Sequence, residues 1–336
     1  MNIKKIAGLA GVSTATVSNV ITGNHHKVSK KTIDKVNQII AQYDYKPNAV
    51  ARSLATKESK IIGIIIPNLI ESERFTVNPN NAQLVSHLEK YIRSQNYFLM
   101  IRGVDKCREI IPLFSTWNMD GIIFLGAYKE EVKELSEKLK IPTMYVDTYA
   151  EDLPIANVGI DDYEASYRAT CYLIDKGHRR IAFAGPNVES AGVIKERFSG
   201  YQKAMQKHKL MVDDDYVFGG LTLFEEGLDI GKQIALSPIN FTAIVSMADI
   251  LSFGIIESLQ EAGKQVPADI SLISFDNLPE CRYSNPQLTT ISQNLDKKAL
   301  FAGDCLFKMI RGKKEIICNE KIDFQIIERG SVRVID

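Results

Sequence analysis

Small polar side chains crowd one short segment, Ser13-Thr14-Ala15-Thr16-Val17-Ser18-Asn19, where a solvated helix usually carries Lys and Glu. Side chains of this size let a helix come close to a nucleic-acid groove and bond to phosphates and base edges. The basic residues stand around this segment rather than on it. Residues 1–60 hold ten Lys or Arg against Asp34, Asp44 and Glu58, a net of +7, which leaves −7 for the rest of a chain that is neutral overall. A basic head on an acidic body points to a polyanion partner for the head alone. A second candidate lies far downstream. Asp276 directly follows the apolar run 271–275, and in open α/β sheets ligands sit outside the carboxyl ends of strands. Its carboxylate is an acceptor for ligand hydroxyls, although an Asp at such a place also serves as a turn or cap residue.

Other residues able to do chemistry are not arranged to use it. The five cysteines, Cys107, Cys171, Cys281, Cys305 and Cys318, are odd in number and have neither metal nor redox spacing; they read as reduced thiols packed as small hydrophobes. His25, His26, His87, His178 and His208 are scattered, so no metal is expected. Gly63 and Gly219-Gly220 lack the spacing of a phosphate loop. Trp117 reads as core. There is no nucleophile elbow and no acid–base pair, so no catalytic residue, cofactor or enzymatic activity is expected.

The elements that must position the first candidate are short helices. Ile3, Ile6, Ala7 and Ala10 fall at helical spacing, Gly11 stops that helix, and Ser13 stands where the N-cap of the next belongs. The second helix closes at Gly23. Two short helices joined by Gly11-Val12-Ser13 make a helix-turn-helix with Ala7, Val12, Val17 and Ile21 facing inward. Ser29 caps a third, from Lys30 to about Tyr43, with Ile33, Val36, Ile39 and Ile40 as its buried stripe. A plain three-helix bundle would show the same apolar pattern; the small polar face of the second helix favours the DNA reading. After Pro47, Asn48 caps a further helix of about eight residues, too short to be stable in water unless packed.

Ile3-Lys4-Lys5-Ile6-Ala7, Ala10-Gly11-Val12-Ser13-Thr14-Ala15-Thr16-Val17-Ser18, Val28-Ser29-Lys30-Lys31-Thr32 and Tyr45-Lys46-Pro47-Asn48-Ala49-Val50-Ala51-Arg52-Ser53-Leu54 together resemble the headpiece of the lactose/galactose-repressor family of bacterial transcriptional regulators. The resemblance implies a dimer whose recognition helices enter successive major grooves and whose paired hinge helices lie in the central minor groove. Carried over, Ser13, Thr14, Ala15, Thr16, Ser18, Asn19 and Arg52 would contact DNA, with Thr14, Ala15 and Asn19 on base edges and Leu54 wedged between central base steps. The family usually has Arg where this chain has Asn19. Asn pairs bidentately with adenine and Arg with guanine, so a shifted half-site is expected.

From residue 60 the pattern changes period. Short apolar runs at 61–66, 97–101, 121–125, 143–146, 180–184, 243–245 and 271–275 alternate with amphipathic stretches at 81–94, 129–139, 162–176, 196–208, 227–236, 249–262 and 295–311. Strands buried on both faces and separated by helices indicate parallel sheets, doubly wound. Some 275 residues exceed one comfortable core, which predicts two lobes. The resemblance continues through Asp175-Lys176-Gly177-His178-Arg179-Arg180, Glu196-Arg197-Phe198-Ser199-Gly200-Tyr201 and Ser274-Phe275-Asp276-Asn277. It implies a periplasmic-binding-protein-like effector domain with three crossover strands and ligand in the cleft, and Arg197 as an effector contact. Ser199 from the same motif and Phe75 as a stacking face are further candidates beside Asp276.

The expected organisation is therefore an all-α headpiece over 1–58 with hinge helix 48–56, and an α/β effector and dimerisation domain over 60–336. Lobe 1 is placed at about 60–160 and 291–320, lobe 2 at about 161–290 and 321–336. Two departures from the family pattern border the cleft: a loop over 68–81 several residues longer than usual, and Ala248 where Asn is common. The longer loop inclines the reading toward a sugar. The expected function is a cytoplasmic, homodimeric repressor of a carbohydrate-utilisation operon, released from operator DNA by a small sugar-like effector. A purine- or nucleoside-responsive corepressor system and a sugar-binding protein without gene regulation are the alternatives. No apolar run is long enough to cross a bilayer, the N-terminus does not read as a signal peptide, and no leucine-heptad tail for tetramer formation follows Ser331.

Overall fold

The computed structural model describes residues 1–45, 58–67, 78–186, 192–312 and 316–335, without the side chains of 115–117. The hinge helix expected over 48–56, with Arg52 and Leu54, lies outside the described residues, as do Phe75, most of the long loop and the side chain of Trp117. Two compact units divide the chain, Met1–Lys60 and Ile61–Asp336.

The first unit is built as its caps dictate. Helix α1 (Ile3–Ala10) starts where the Asn2 side chain accepts the Lys5 N–H and stops at Gly11, whose φ of 69° reverses the chain. Helix α2 (Thr14–Ile21) is capped by Ser13, whose hydroxyl accepts from the Thr16 N–H at 3.1 Å. Helix α3 (Lys30–Gln42) is capped in the same way by Ser29. Ile6, Ala7, Ala10, Val17, Val20 and Val36 form the buried centre, with Val12, Ile21, Ile33, Ile39 and Ile40 packed around it.

The second unit holds two six-stranded sheets. The first contains β1 (Ile61–Pro67), β2 (Phe98–Val104), β3 (Gly121–Leu125), β4 (Thr143–Val146), β5 (Ala156–Gly159) and β11 (Cys318–Lys321), in the order β11-β5-β4-β3-β1-β2. The other contains β6 (Ile181–Gly185), β7 (Val217–Gly219), β8 (Ala243–Ser246), β9 (Ser271–Asp276), β10 (Thr289–Ser292) and β12 (Gln325–Ile327), in the order β12-β10-β9-β8-β6-β7. All pairings are parallel except β10 with β12. Helices α4 (Pro79–Ser94), α5 (Ile110–Trp117), α6 (Lys129–Lys138) and α11 (Leu295–Ile310) belong with the first sheet. The second carries α7 (Asp162–Asp175), α8 (Val193–Lys207), α9 (Phe224–Leu236) and α10 (Asp249–Glu261). The central strands are apolar on both faces because helices cover both, as β3 and β6 show with every residue buried.

The chain crosses between the sheets three times, at 160–161, 293–294 and 322–324. Strand β10 pairs with β9 in the second sheet, so the second crossing falls a few residues beyond the position 291 read from sequence. The run expected at 97–101 begins a residue later and extends to Val104, and helix α5 was not legible at all. Helix α8 starts at Val193, not at Glu196, which puts Arg197 in its second turn.

Helices α9 and α10 meet through glycine. A Cβ at Gly254 would lie 2.1 Å from the Phe224 carbonyl oxygen, and one at Gly227 2.2 Å from that of Leu251. Alanine gains about 1 kcal/mol of helix propensity over glycine, but overpacking costs about 1–3 kcal/mol. Packing outweighs propensity because the obstacle is backbone. Gly254→Ala is expected to lower the urea midpoint of the effector unit; an unchanged or raised midpoint contradicts this packing.

Candidate functional site

Each sheet follows the order 2-1-3-4-5 at its core, and in such sheets the strand order reverses beside the first strand, leaving a crevice at the carboxyl ends. In the first sheet that point lies between β1 and β3, at Ile66, Pro67, Leu125 and Gly126. In the second it lies between β6 and β8, at Pro186, Met247 and Ala248. All seven line one cavity. Its volume, about 190 Å³, far exceeds the roughly 10–15 Å³ that admits a single water. It is sized for a small organic molecule.

Polar groups converge on it from both lobes: Asn78, Asn80 and Asn81 at the start of α4, Lys129, Asp147, Tyr149, Arg197, Thr222, Asp276 and Gln293. Arg197 is the most constrained. Its Nε donates to Asp162 Oδ1 at 2.7 Å, its Nη1 to the Met247 carbonyl at 2.6 Å, and its guanidinium lies 4.0 Å from the Phe275 ring centroid. Asp162 is fully buried and also accepts from Tyr149 Oη at 2.6 Å. Tyr149 belongs to the segment after β4, so this chain of bonds joins the two lobes. Burial works against the guanidinium charge, but Asp162 and Asp276 more than offset it.

Asp147 and Asp276 are the carboxylates among the described residues of the cavity wall, and each stands at the end of a strand with positive φ, 52° and 113°. Asp tolerates the first of these, but the second is a strained geometry costing about 1–3 kcal/mol, of the kind that collects at functional sites. Asp276 Oδ1 accepts from Gln293 Nε2 at 2.7 Å. Burial and the negative charge of Asp249 push its carboxyl up to about 8, with Arg197 pulling the other way. Asp249 itself, wholly buried, accepts from the Leu278 N–H, the Cys281 thiol and the Thr290 hydroxyl.

A pH dependence follows with a definite sign. An acid whose folded pKa lies above its unfolded value near 3.9 favours folding below that value, and the contribution fades as pH rises toward 8. Asp276→Asn is expected to flatten the stability curve between pH 4 and 8 and to be the more stable form at pH 8. Thermal denaturation across that range checks it, and parallel curves for the two proteins contradict it.

Of the cleft residues read from sequence, the structure brings Arg197 and Asp276 to one cavity. Ser199 is half-buried on α8, two residues and hence about 200° around the helix from Arg197, and is not among the lining residues. Ala248 lines the cavity and leaves α10 without a side-chain cap, where Asn would have supplied one. Asp147, Tyr149, Asp162, Gln293 and the Asn78–Asn81 group were missed. The strand-end rule that found Asp276 applies equally to Asp147 after 143–146; Asp162 reads only as a helix-start residue. Among the described residues Asn80 Oδ1 is buried with no hydrogen-bond partner, an acceptor on a residue that lines this cavity. His178 is buried and bonded on both ring nitrogens, to Thr242 and to the Arg333 carbonyl, a structural role.

In the first unit, Val17 and Val20 face the core, and the opposite side of α2 presents Thr14, Ala15, Ser18 and Asn19 together. Ser13 and Thr16 bond to each other through their hydroxyls at 2.9 Å, so both serve the cap as well as the surface. Lys4, Lys5, Lys27, Lys30, Lys31 and Lys35 are all exposed.

Residues 2–48 match the bacterial regulatory proteins of the lacI family, and residues 170–332 a periplasmic-binding-protein-like domain. Catabolite control protein A of Staphylococcus xylosus is 34% identical over 300 residues, 88% of each chain. The chain belongs to the LacI family. It is a DNA-binding transcriptional regulator with a headpiece and an effector domain. The HTH-type transcriptional repressor PurR of Vibrio atlanticus is 29% identical over 340 residues, 99% of each chain. The fold is that of a lac repressor dimer solved with operator and the anti-inducer ONPF, at a TM-score of 0.87, 22% identity and 99% coverage of both chains. No helix among the described residues of this LacI-family protein is long and apolar enough to cross a membrane.

Proposed function

We propose that this regulator is a cytoplasmic homodimeric repressor whose grip on operator DNA is controlled by a small sugar-like molecule bound between the lobes of the effector domain. The observation that carries the effector reading is the cavity at the two facing switch points. Its wall combines the carboxylates of Asp147 and Asp276, the guanidinium of Arg197, and amides from Asn78, Asn80, Asn81 and Gln293. Such a mixture of acceptors and donors matches hydroxyls, which both donate and accept. A nucleobase would call for flat stacking faces. The described wall supplies aromatic rings only from Tyr128 and Tyr149, which makes the purine alternative the weaker reading.

On the DNA side, Thr14, Ala15 and Asn19 read bases, Ser13, Thr16 and Ser18 bond to the backbone, and the surrounding lysines supply sequence-independent affinity. Arg52 and Leu54 extend the interface through the hinge segment. Two subunits match a pseudo-palindromic operator with half-sites one or more helical turns apart. The ligand acts by binding one lobe arrangement better than the other, since equal affinity shifts nothing.

A thermal-shift screen of sugars, sugar phosphates and nucleobases, repeated with Arg197→Ala, tests the effector. Gel shifts on a selected duplex then test control. The expected result is a sugar that stabilises the wild-type protein and weakens operator binding about 5–150-fold. Stabilisation by a nucleobase alone, or operator binding that tightens with ligand, replaces this reading with the corepressor alternative. A protein with no preference for any duplex over random competitor would falsify the repressor reading altogether.

A further inference from the structure

Beneath the floor of the cleft lies a lysine with a fully buried side chain, a rare position for an ammonium unless it is paired. Lys298 stands in the first turn of α11. Its Nζ donates to Asp147 Oδ1 at 2.8 Å, to Asp147 Oδ2 at 2.9 Å and to Gln293 Oε1 at 2.9 Å. An ammonium has three donors, and the Asp147 carboxylate and the Gln293 amide oxygen together engage at least two of them. With Oε1 of Gln293 facing Lys298, its Nε2 donates to Asp276 Oδ1. The network fixes the amide in one orientation. Lys298 is thus bonded to one cavity carboxylate and linked through one amide to the other, yet it is not itself a lining residue.

The consequence concerns charge. Lys298 compensates Asp147 without offering the cavity a single N–H. Arg197, the buried cation among the described lining residues, has Nε and Nη1 engaged by Asp162 and Met247. Lys129 at the rim pairs with Asp152 at 2.8 Å. A ligand hydroxyl donates to Asp147 or Asp276 at no electrostatic cost. A phosphate or carboxylate on the same ligand meets the Asp147 carboxylate, while the nearest buried ammonium, bonded to Asp147 and Gln293, does not line the cavity.

We propose that Lys298 is a specificity-determining positioning residue: by holding Asp147 as a fixed acceptor and setting the direction of the Gln293 amide, it makes the cavity select uncharged polyhydroxylated ligands over their anionic esters. The inference deepens the sugar reading above and rests on it. Burial already pushes the Asp147 carboxyl up, and Lys298 is the largest influence drawing it down. Without that cation Asp147 takes up a proton at higher pH. Ligand binding that needs the ionised carboxylate is present above its pKa and fails as pH falls through it. In Lys298→Met that failure therefore moves to higher pH.

Calorimetric titration of the full-length protein with glucose, galactose, ribose and cellobiose, and with glucose 6-phosphate, galactose 6-phosphate and ribose 5-phosphate, tests this at several pH values. Wild-type protein is expected to bind its preferred neutral sugar at least about tenfold more tightly than the matching ester, the worth of about one charged hydrogen bond. In Lys298→Met the acid limb of neutral-sugar binding is expected to rise by about 1–3 pH units. Should that variant fail to fold, Lys298→Met combined with Asp147→Asn removes both charges, a change folds commonly tolerate. The double variant is expected to lose the preference for the neutral sugar and to show no acid limb from Asp147. Esters that bind the wild type as well as the sugars do, or variants that keep both selectivity and pH profile, overturn the role of Lys298 while leaving the sugar reading intact. Absence of binding by any compound of either kind overturns the sugar reading and the inference with it.

Discussion

Arg197→Met is expected to lower the melting temperature of the effector unit by on the order of 10 °C and to abolish its response to ligand. The guanidinium is almost wholly buried and so is its partner Asp162, 2.7 Å away. Removing one member of a buried pair leaves an uncompensated charge, at a cost of about 3–5 kcal/mol, and in a unit of this size each kcal/mol is worth roughly 2–4 °C. Stability and ligand response separate in the double variant. Arg197→Met with Asp162→Asn removes both charges while an acceptor for the Tyr149 hydroxyl remains. It is expected to regain most of the lost stability and none of the ligand response. A double variant that responds normally to ligand shows Arg197 to be a structural ion pair only, and a single variant with an unchanged melting temperature shows that the pair does not hold the lobe together.

Operator selection is expected to return adenine at one symmetric position in each half-site, and Asn19→Arg to convert that adenine to guanine. Asn19 shares the outward face of α2 with Thr14, Ala15 and Ser18, opposite Val17 and Val20. A bidentate Asn–adenine or Arg–guanine pair discriminates by about 1–3 kcal/mol, and a two-fold operator uses it twice, which makes the combined preference about 30-fold to 10⁴-fold. Asn19→Ala is expected to weaken binding to the selected duplex while leaving random-duplex binding and its salt dependence in place, since the lysines that supply the latter are untouched. Guanine selected by the wild type at that step, with Asn19→Arg neutral, removes Asn19 from the recognition surface.

The effector and operator predictions meet in a single requirement. A ligand held by Arg197, Asp276 and Asp147 changes DNA binding only if the two lobe arrangements hold it unequally. The polar chain from Tyr149 through Asp162 to Arg197, and the one from Asp147 through Lys298 and Gln293 to Asp276, both span the lobes. A ligand that bonds to either end competes with or completes these bridges, so its binding energy bears directly on how the lobes stand.

Local rules determined the headpiece and the element pattern. The Ser13 and Ser29 caps, the Gly11 stop and the burial of Val17 and Val36 depend on residues within a few positions of each other, and capping and helical periodicity act over that range. The β/α alternation was legible for the same reason: strands covered on both faces must be apolar throughout. Asp276 was readable because it follows its strand directly. What only the tertiary structure decided depends on partners far apart in the chain. Arg197 meets Asp162 and Met247, and Lys298 meets Asp147. No local pattern marks a lysine on an amphipathic helix as buried, because its burial is decided by a carboxylate 151 positions away. Ser199 shows the converse: it stands two residues from Arg197 in a shared motif, yet the helix turns it away from the cavity. The pocket exists because two sheets with the same strand order face each other at their reversal points, and that facing is a property of the assembled lobes rather than of any segment.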